Sequence, residues 1–543
     1  MRFLTVDQMR AADRDAVTEA GIPERALMRR AGEALACAVA RVAARRRTRA
    51  AVLVAGHGNN GGDVCVAARA LREAGFLVRV LLTAPVARFR GVAREAWEAM
   101  DAAGVPWSEP EAAESACGGW TEDNADAVAA PSAWGGVVVD GVLGTGCAGA
   151  PSGAAARAIG WINRQRAHAM IVAADIPSGV HGDSGEAAGV AVHADVTVTF
   201  ARPKRGLLNP CGAERFGHVI VADIGLPDAL CDRGTDDAPC ECIALPELAR
   251  FFPRRQWSAH KGTCGHVAVI GGAAGMPGAP VLAALGAVRS GAGLVSLAVP
   301  PQSAAVAAAW VPEAMCHTLD VPRGVISPHA LAAGFSGLDA CKVVIAGPGL
   351  TRHEEAGRTV AQLLETGPDR LLLDADGLNA LADLFHAGWR PRARQDLLLT
   401  PHPGEAARLL GLSVAAVEAD RVAAVRLLAE RYRAVVVLKG AGTLVCAPDG
   451  RPWLNRTGNP GMASGGMGDL LAGMVAALWA QGLDPVQAAC TAVWAHGAAG
   501  DEAAWEEGRT ALSATRLAAA LGSVYGELER LAAGSEEGGG NVG

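Results

Sequence analysis

Two glycine-rich stretches, far apart on the chain, have the composition that brings backbone amides against an anion. The first is Gly56-His57-Gly58-Asn59-Asn60-Gly61-Gly62-Asp63, directly after the apolar run Ala51-Val52-Leu53-Val54. The second is Ser464-Gly465-Gly466-Met467-Gly468-Asp469, directly before the helical run Leu470-Leu471-Ala472-Gly473-Met474-Val475. Glycine lets a backbone approach phosphate closely, and a helix that follows offers unpaired N–H groups and the positive end of its dipole. Asp469 can take the proton of an attacked hydroxyl, and Asp63 can fix its own loop. Two such sites imply two nucleotide-handling domains on one chain.

Two further turns in the first half follow apolar runs: Asp140-Gly141-Val142-Leu143-Gly144-Thr145-Gly146 and Asp175-Ile176-Pro177-Ser178-Gly179. In an open α/β sheet the loops at strand C-termini meet over one crevice. Asn60, Asp140 and Ser178 then offer oxygen ligands to a cation, and Asp175 a carboxylate for proton transfer. Any one of these motifs is matched as well by a plain turn or helix cap; three in one domain weigh toward a site. In the second half, Lys439-Gly440-Ala441-Gly442-Thr443 follows the apolar run ending at Leu438 and presents a lysine and glycines to nucleotide phosphates. A simple hairpin is the competing reading there, and a bare helix start is the competing reading of Gly465–Asp469. His402 stands in a Pro401-His402-Pro403 turn at a strand end, where ligand contacts gather. His260, beside Lys261, has the weaker claim.

The elements that must hold these residues read as two α/β series. Thr5-Val6-Asp7-Gln8 is a capping box opening a first helix, and Pro23 suits the first position of a second. Strands are expected at 51–54, 78–82, 137–139, 170–173 and 196–200, as the continuous apolar runs typical of buried parallel strands, with helices near 64–74 and 153–164. This is a doubly wound, Rossmann-like α/β pattern. Residues 108–135 read as an irregular acidic excursion. The polar, turn-rich stretch 228–239 reads as the boundary. A second α/β series runs through 266–270, 294–299, 343–346, 371–374, 397–400 and 434–438, and ends in helices after Asp469 and around 488–499. The expected division is 1–228, 240–530 and a disordered tail 531–543 rich in Gly, Ser and Glu.

Bulk properties narrow the class. At 543 residues the chain exceeds a single core and suits two domains. Its net charge of −7 argues against a nucleic-acid polymer or an anionic membrane as the main partner. Thirteen cysteines without a CxxC pair or Cys/His array fit a reduced, cytoplasmic setting. The charged N-terminus does not read as a signal peptide, and no charge-free apolar stretch is long enough to span a bilayer.

The motifs GxGNNGGD at 56–63, DxxxGTG at 140–146 and ADIPSG at 174–179 make the first half similar to the NAD(P)H-hydrate epimerase domain, also called the YjeF N-terminal domain. The resemblance covers roughly residues 9–227. It implies Asn60, Asp140 and Ser178 as ligands of a potassium ion. It implies Asn59, Asn60, Gly61, Gly62, Asp63, Gly144, Thr145, Gly146, Cys147, Ala148, Gly149, Ala150 and Asp175 as contacts to the hydrated dinucleotide. Val64 stands where that family usually has glycine, and Cys147–Ala150 lack the polar residues often found after GTG.

The second half carries GGMGD at 465–469, which resembles the anion hole of ribokinase-like small-molecule kinases. Together with HKGT at 260–263, IGG at 270–272, GPG at 347–349, DADGLN at 374–379, TPHPGE at 400–405 and NPGMASGG at 459–466 it resembles the ADP-dependent NAD(P)H-hydrate dehydratase, the YjeF C-terminal domain, over about 242–530. That resemblance implies a ribokinase-like fold. It implies Ala279, Gly349, His402 and Asp469 as contacts to the hydrate. It assigns Lys439, Gly440, Ala441, Gly442, Thr443 and Gly468 to ADP, with Mg²⁺ accompanying the nucleotide. Met467 replaces the threonine common in GGTGD. The expectation is a bifunctional enzyme acting on hydrated NADH and NADPH, epimerising in the first domain and dehydrating the S epimer in the second. A ribokinase-like kinase fused to a non-catalytic nucleotide-binding module is the alternative. Oligomeric state and the preference between the two hydrates are left open.

Overall fold

The computed structural model describes residues 1–109, 136–146, 149–209, 214–233, 240–321, 324–390 and 396–537. It divides into two compact units, one spanning Arg2–Ala238 and one built on Pro239–Gly543. Among the described residues no helix is long and apolar enough to cross a membrane.

The first unit is a seven-stranded sheet, wholly parallel. Its strands are β1 (Ala50–Ala55), β2 (Leu77–Leu82), β3 (Trp107–Ser108), β4 (Val137–Gly141), β5 (Met170–Ala174), β6 (Val196–Phe200) and β7 (His218–Ala222), in the order β3-β2-β1-β4-β5-β6-β7. Every residue of β1, β4 and β6 is buried; β1 is apolar throughout, whereas β4 carries the buried Asp140 and β6 alternates valine with the buried Thr197 and Thr199. β1 pairs with β4 and β4 with β5, with Ala55 opposite Gly141 and Asp140 opposite Ala173. That register brings the C-terminal ends of three neighbouring strands, and so the three predicted loops, to one place.

The second unit is a ten-stranded sheet. Its strands are β8 (Glu241–Cys242), β9 (His266–Ile270), β10 (Leu294–Val299), β11 (Met315–Thr318), β12 (Val343–Ala346), β13 (Arg370–Leu373), β14 (Asp396–Leu399), β15 (Val435–Leu438), β16 (Leu444–Cys446) and β17 (Trp453–Leu454). The order is β11-β10-β9-β12-β13-β14-β15-β16-β17-β8. Pairing is parallel from β11 to β15, antiparallel through β15, β16 and β17, and parallel again where β8 joins β17. Helices Gly278–Arg289 and Met467–Ala480 cross at glycine-to-backbone distance: a Cβ on Gly473 would lie 1.9 Å from the Ala283 carbonyl, and one on Gly286 2.1 Å from that of Leu470. This crossing, inside a core shared with Pro485–Glu507, fixes where the helix carrying Gly468 and Asp469 begins.

Several expectations change. The Thr5–Gln8 capping box forms, but Pro23 is the N-cap of Glu24–Arg45 rather than its first residue. Residues Asp228–Cys231, read as the start of a linker, form a helical turn held in the first unit. Leu230 and Cys231 are buried, and Asp228 accepts a hydrogen bond from Arg202 at 2.5 Å. The C-terminal helix runs Ala514–Glu537, past residue 531 where a disordered tail was expected, because Leu528 and Ala532 continue its apolar stripe into the core. The acidic excursion begins with strand β3; its residues 110–135 lie outside the described residues, as does the tail from 538.

Candidate functional sites

In the first unit Asn59 is the first residue of helix Asn59–Glu73, capped by Gly58. Glycines on either side of it are demanded by close approach: a Cβ on Gly61 would lie 1.8 Å from the Gly56 carbonyl, and one on Gly56 2.1 Å from that of Val142. Asn60, Asp140 and Ser178 converge on Leu143. The Asn60 amide donates to the Leu143 carbonyl at 3.0 Å, and the Leu143 N–H donates to Ser178 Oγ at 2.8 Å. Asp140 is fully buried. Its Oδ1 accepts from Ser178 Oγ at 2.6 Å and from the Val142 N–H, and its Oδ2 accepts from the Ser178 N–H at 2.7 Å. Burial pushes its carboxyl up to about 6 against these hydrogen bonds. Asn60 Oδ1 is buried with no hydrogen-bond partner. An orphaned amide oxygen linked through Leu143 to a hydroxyl and a buried carboxylate is an oxygen set that fits a hard cation. Among the described residues no three His, Cys, Asp or Glu side chains form a metal-ligand group.

Asp175 follows β5 with φ 62°, a left-handed conformation that among non-glycine residues aspartate enters more readily than most. Its Oδ1 is held by Lys204, Thr199 Oγ1 and the Phe200 N–H. Lys204 is 1 % exposed and also donates to Thr199 Oγ1 and the Phe200 carbonyl. Burial, with Asp175 and Asp13 nearby, raises the Asp63 carboxyl well above its ordinary range. Gly144 packs on Asn60, a Cβ there falling 3.2 Å from Asn60 Cβ. Thr145 is half-buried, and Gly146, Gly149 and Ala150 are exposed, while Cys147 and Ala148 lie outside the described residues.

In the second unit the site runs along the C-terminal strand ends. The loops after β9 and β12 are tied together: Gly272 N–H donates to the Pro348 carbonyl at 3.0 Å and Ala273 N–H to that of Gly349 at 2.7 Å. Gly349 has φ 64° and presses on Met276, two residues before the helix that carries Ala279. Gly347 backs onto the Asp374 carbonyl. Asp374, after β13 and 1 % exposed, accepts from Thr400 Oγ1 at 2.8 Å and Lys439 Nζ at 2.7 Å. Lys439 Nζ lies 3.9 Å from Glu405, and a Cβ on Gly468 would lie 3.1 Å from it. Asp374 and Gly468 therefore both stand against Lys439. Burial pushes the Lys439 ammonium down, but Asp374 and Glu405 outweigh it and hold it above its ordinary value. Burial, reinforced by Asp374, raises Asp469 to about 7, and burial raises Glu405 to about 7 against Lys439.

His402 caps helix Pro403–Leu410: its Nδ1 accepts from the Gly404 N–H at 2.9 Å and the Glu405 N–H at 3.3 Å, and Glu405 accepts back from the His402 N–H at 2.7 Å. The Lys439–Thr443 segment is the turn of the β15–β16 hairpin, and it carries Lys439 into the cluster. His260 closes an exposed turn before β9, at the end of the sheet opposite these loops.

Comparison with known proteins follows the same division. Residues 24–206 match the model of the YjeF-related protein N-terminus, and residues 267–522 that of NAD(P)H-hydrate dehydratase. The bifunctional NAD(P)H-hydrate repair enzyme Nnr of Moorella thermoacetica is 38 % identical over 544 residues, covering 97 % of each chain. The chain belongs to the bifunctional NAD(P)H-hydrate repair enzyme family. The Escherichia coli member is 36 % identical over 95 % of this chain and 92 % of its own. Among solved structures, the ADP/ATP-dependent NAD(P)H-hydrate dehydratase of Bacillus subtilis, co-crystallised with ATP and Mg²⁺, is 29 % identical with a TM-score of 0.46, covering 53 % of this chain and 99 % of that one.

This member of the repair-enzyme family also has site residues that the sequence reading missed. Lys204 follows a proline after β6 in no glycine motif, and only a buried ammonium on Asp175 reveals it. Glu405 was read as part of a motif without a role. Asp374 and Thr400 likewise stand only within motifs, and the packing makes Asp374 the acceptor for both Lys439 and Thr400. A strand-end position was the available signal for each.

Proposed function

We propose that this chain repairs hydrated NADH and NADPH: the first unit interconverts the two epimers of the hydrate and the second dehydrates the S epimer with ADP. The observation that carries this reading is near-full-length similarity to enzymes named for that repair, on a chain in which both glycine loops stand beside buried carboxylates. In the second unit Asp469 takes the proton of the hydrate hydroxyl, whose oxygen bonds to the terminal phosphorus of ADP as AMP leaves. Amides at the start of helix Met467–Ala480 neutralise charge on the transferring group. The phosphate formed on the ring carbon then departs with the C–O bonding pair while the adjacent carbon loses a proton, which restores the reduced ring. The Mg²⁺–nucleotide complex is the co-substrate. His402, Ala279 and Gly349 bound the hydrate, and Lys439–Thr443 with Gly468 hold the nucleotide.

In the first unit Asp175 is the proton-transfer group, and the loops 59–63 and 144–150 hold the dinucleotide. Asn60, Asp140 and Ser178 fit a potassium ion, which when bound supplies a fixed positive charge beside the substrate. A cytoplasmic setting accords with the free thiols among the described cysteines. The test is incubation of purified protein with mixed hydrate epimers, following the absorbance of reduced nicotinamide. Full recovery with ADP and none without it is expected. A stable phosphorylated product instead would favour a ribokinase-like kinase.

A further inference from the structure

A side chain outside any motif donates to the carbonyls of the hairpin turn Lys439–Thr443. Arg421 opens helix Arg421–Tyr432, directly after the N-cap Asp420. Its guanidinium donates to the carbonyls of Leu438 and Lys439, each at 3.2 Å, and of Gly442 at 3.4 Å, and it pairs with Glu418 at 2.8 Å. Its side chain is 11 % exposed, so this fork of donors sits inside the turn. A trans peptide group is planar, and a carbonyl turned inward turns the next N–H outward. The inward carbonyls of Lys439 and Gly442 therefore face the N–H groups of Gly440 and Thr443 away from Arg421. Gly440 has φ 137° and Gly442 φ 68°, conformations open to glycine, and a Cβ on Gly440 would lie 3.0 Å from Arg421 Nη1. The outward amides of Gly440 and Thr443, one at each end of the turn, present donors to an anion, with a cation behind them.

We propose that Arg421 is the positioning residue that shapes Lys439–Thr443 into a phosphate cradle, gathering the carbonyls of the turn so that its amides face the nucleotide. The proposal rests on the reading of this turn as the ADP site. It predicts a selective effect on phosphate recognition, which a residue that merely packs the hairpin would not give.

The test uses the full-length chain with Arg421→Met, Arg421→Lys and, as a control beside the fork, Glu418→Gln. ADP and adenosine are titrated calorimetrically, and dehydration is measured against ADP and against hydrate. Hydrogen bonds from a charged donor correspond to roughly a 10–100-fold effect. Arg421→Met should weaken ADP binding by about that factor while leaving adenosine affinity, kcat at saturating ADP and KM for the hydrate near wild type. Arg421→Lys should fall between, and Glu418→Gln should bind ADP as wild type does. Wild-type ADP affinity in Arg421→Met, or equal losses for ADP and adenosine, would overturn the proposal. If Arg421→Met does not fold, Arg421→Lys decides by the same criterion. A wild-type protein that binds no ADP would bring down the nucleotide reading itself, and the proposal with it.

Discussion

Asp469 and Asp140 carry the sharpest consequences for single residues. Asp469 stands where the glycine turn ends and the helix begins, and burial together with Asp374 lifts its carboxyl to about 7. As the base toward the hydrate hydroxyl it must be ionised, so ADP-dependent kcat/KM should climb with pH through a limb near 7 and fall on the acid side. Asp469→Asn should lower dehydration by about 10²–10⁴-fold, the usual worth of positioned proton transfer, and leave epimerisation unchanged. Near-normal dehydration in that variant would remove the residue from the mechanism. Asp140 acts through oxygen rather than proton transfer. Asp140→Ala takes away both acceptors that hold Ser178, and should abolish epimerisation together with any dependence on potassium, while dehydration of pure S hydrate continues. Epimerisation at the wild-type rate, still responsive to potassium, would refute the cation assignment.

At the scale of the element, His402 has two duties that can be separated. It caps helix Pro403–Leu410, and it is proposed to touch the hydrate. His402→Ala should lose about 0.5–2 kcal/mol of stability with the cap and raise KM for the hydrate. His402→Asn should restore the cap and the melting temperature but not KM; recovery of both would reduce the histidine to a cap. The same pair of duties shows what the sequence displays. The apolar runs of β1, β4, β5, β9 and β12 and the loops after them were legible, because a strand buried on both faces has little choice of residue and a loop crossing another backbone needs glycine. The two-residue strands β3, β8 and β17 were not, being too short for any pattern. Nor were Lys204 and Arg421, whose roles come from where a side chain ends rather than from spacing. The terminal helix was misread from its small and charged residues, although Leu528 and Ala532 keep the helical interval.

For the whole molecule the prediction is separability, corrected by the packing of Asp228–Cys231. A fragment ending at Asp228 removes Leu230 and Cys231 from the core and should be unstable, whereas one ending at Ala238 should fold and epimerise without ADP. A fragment starting at Pro239 should consume only the S epimer and leave the R epimer behind, with complete conversion once the first fragment is added. Complete consumption of both epimers by the second fragment alone, where spontaneous epimerisation is negligible, would contradict the division. The ten-stranded sheet adds a matter of timing. β8 is the first strand of its unit to leave the ribosome, yet its partner β17 is the last. The growing chain must carry Glu241–Cys242 without its strand partner until nearly all of the sheet has been made, since a contact so distant along the chain is among the last to be rewarded. The first unit has no such wait: all seven of its strands emerge before β8 does, so it can complete its sheet while synthesis of the second is still under way.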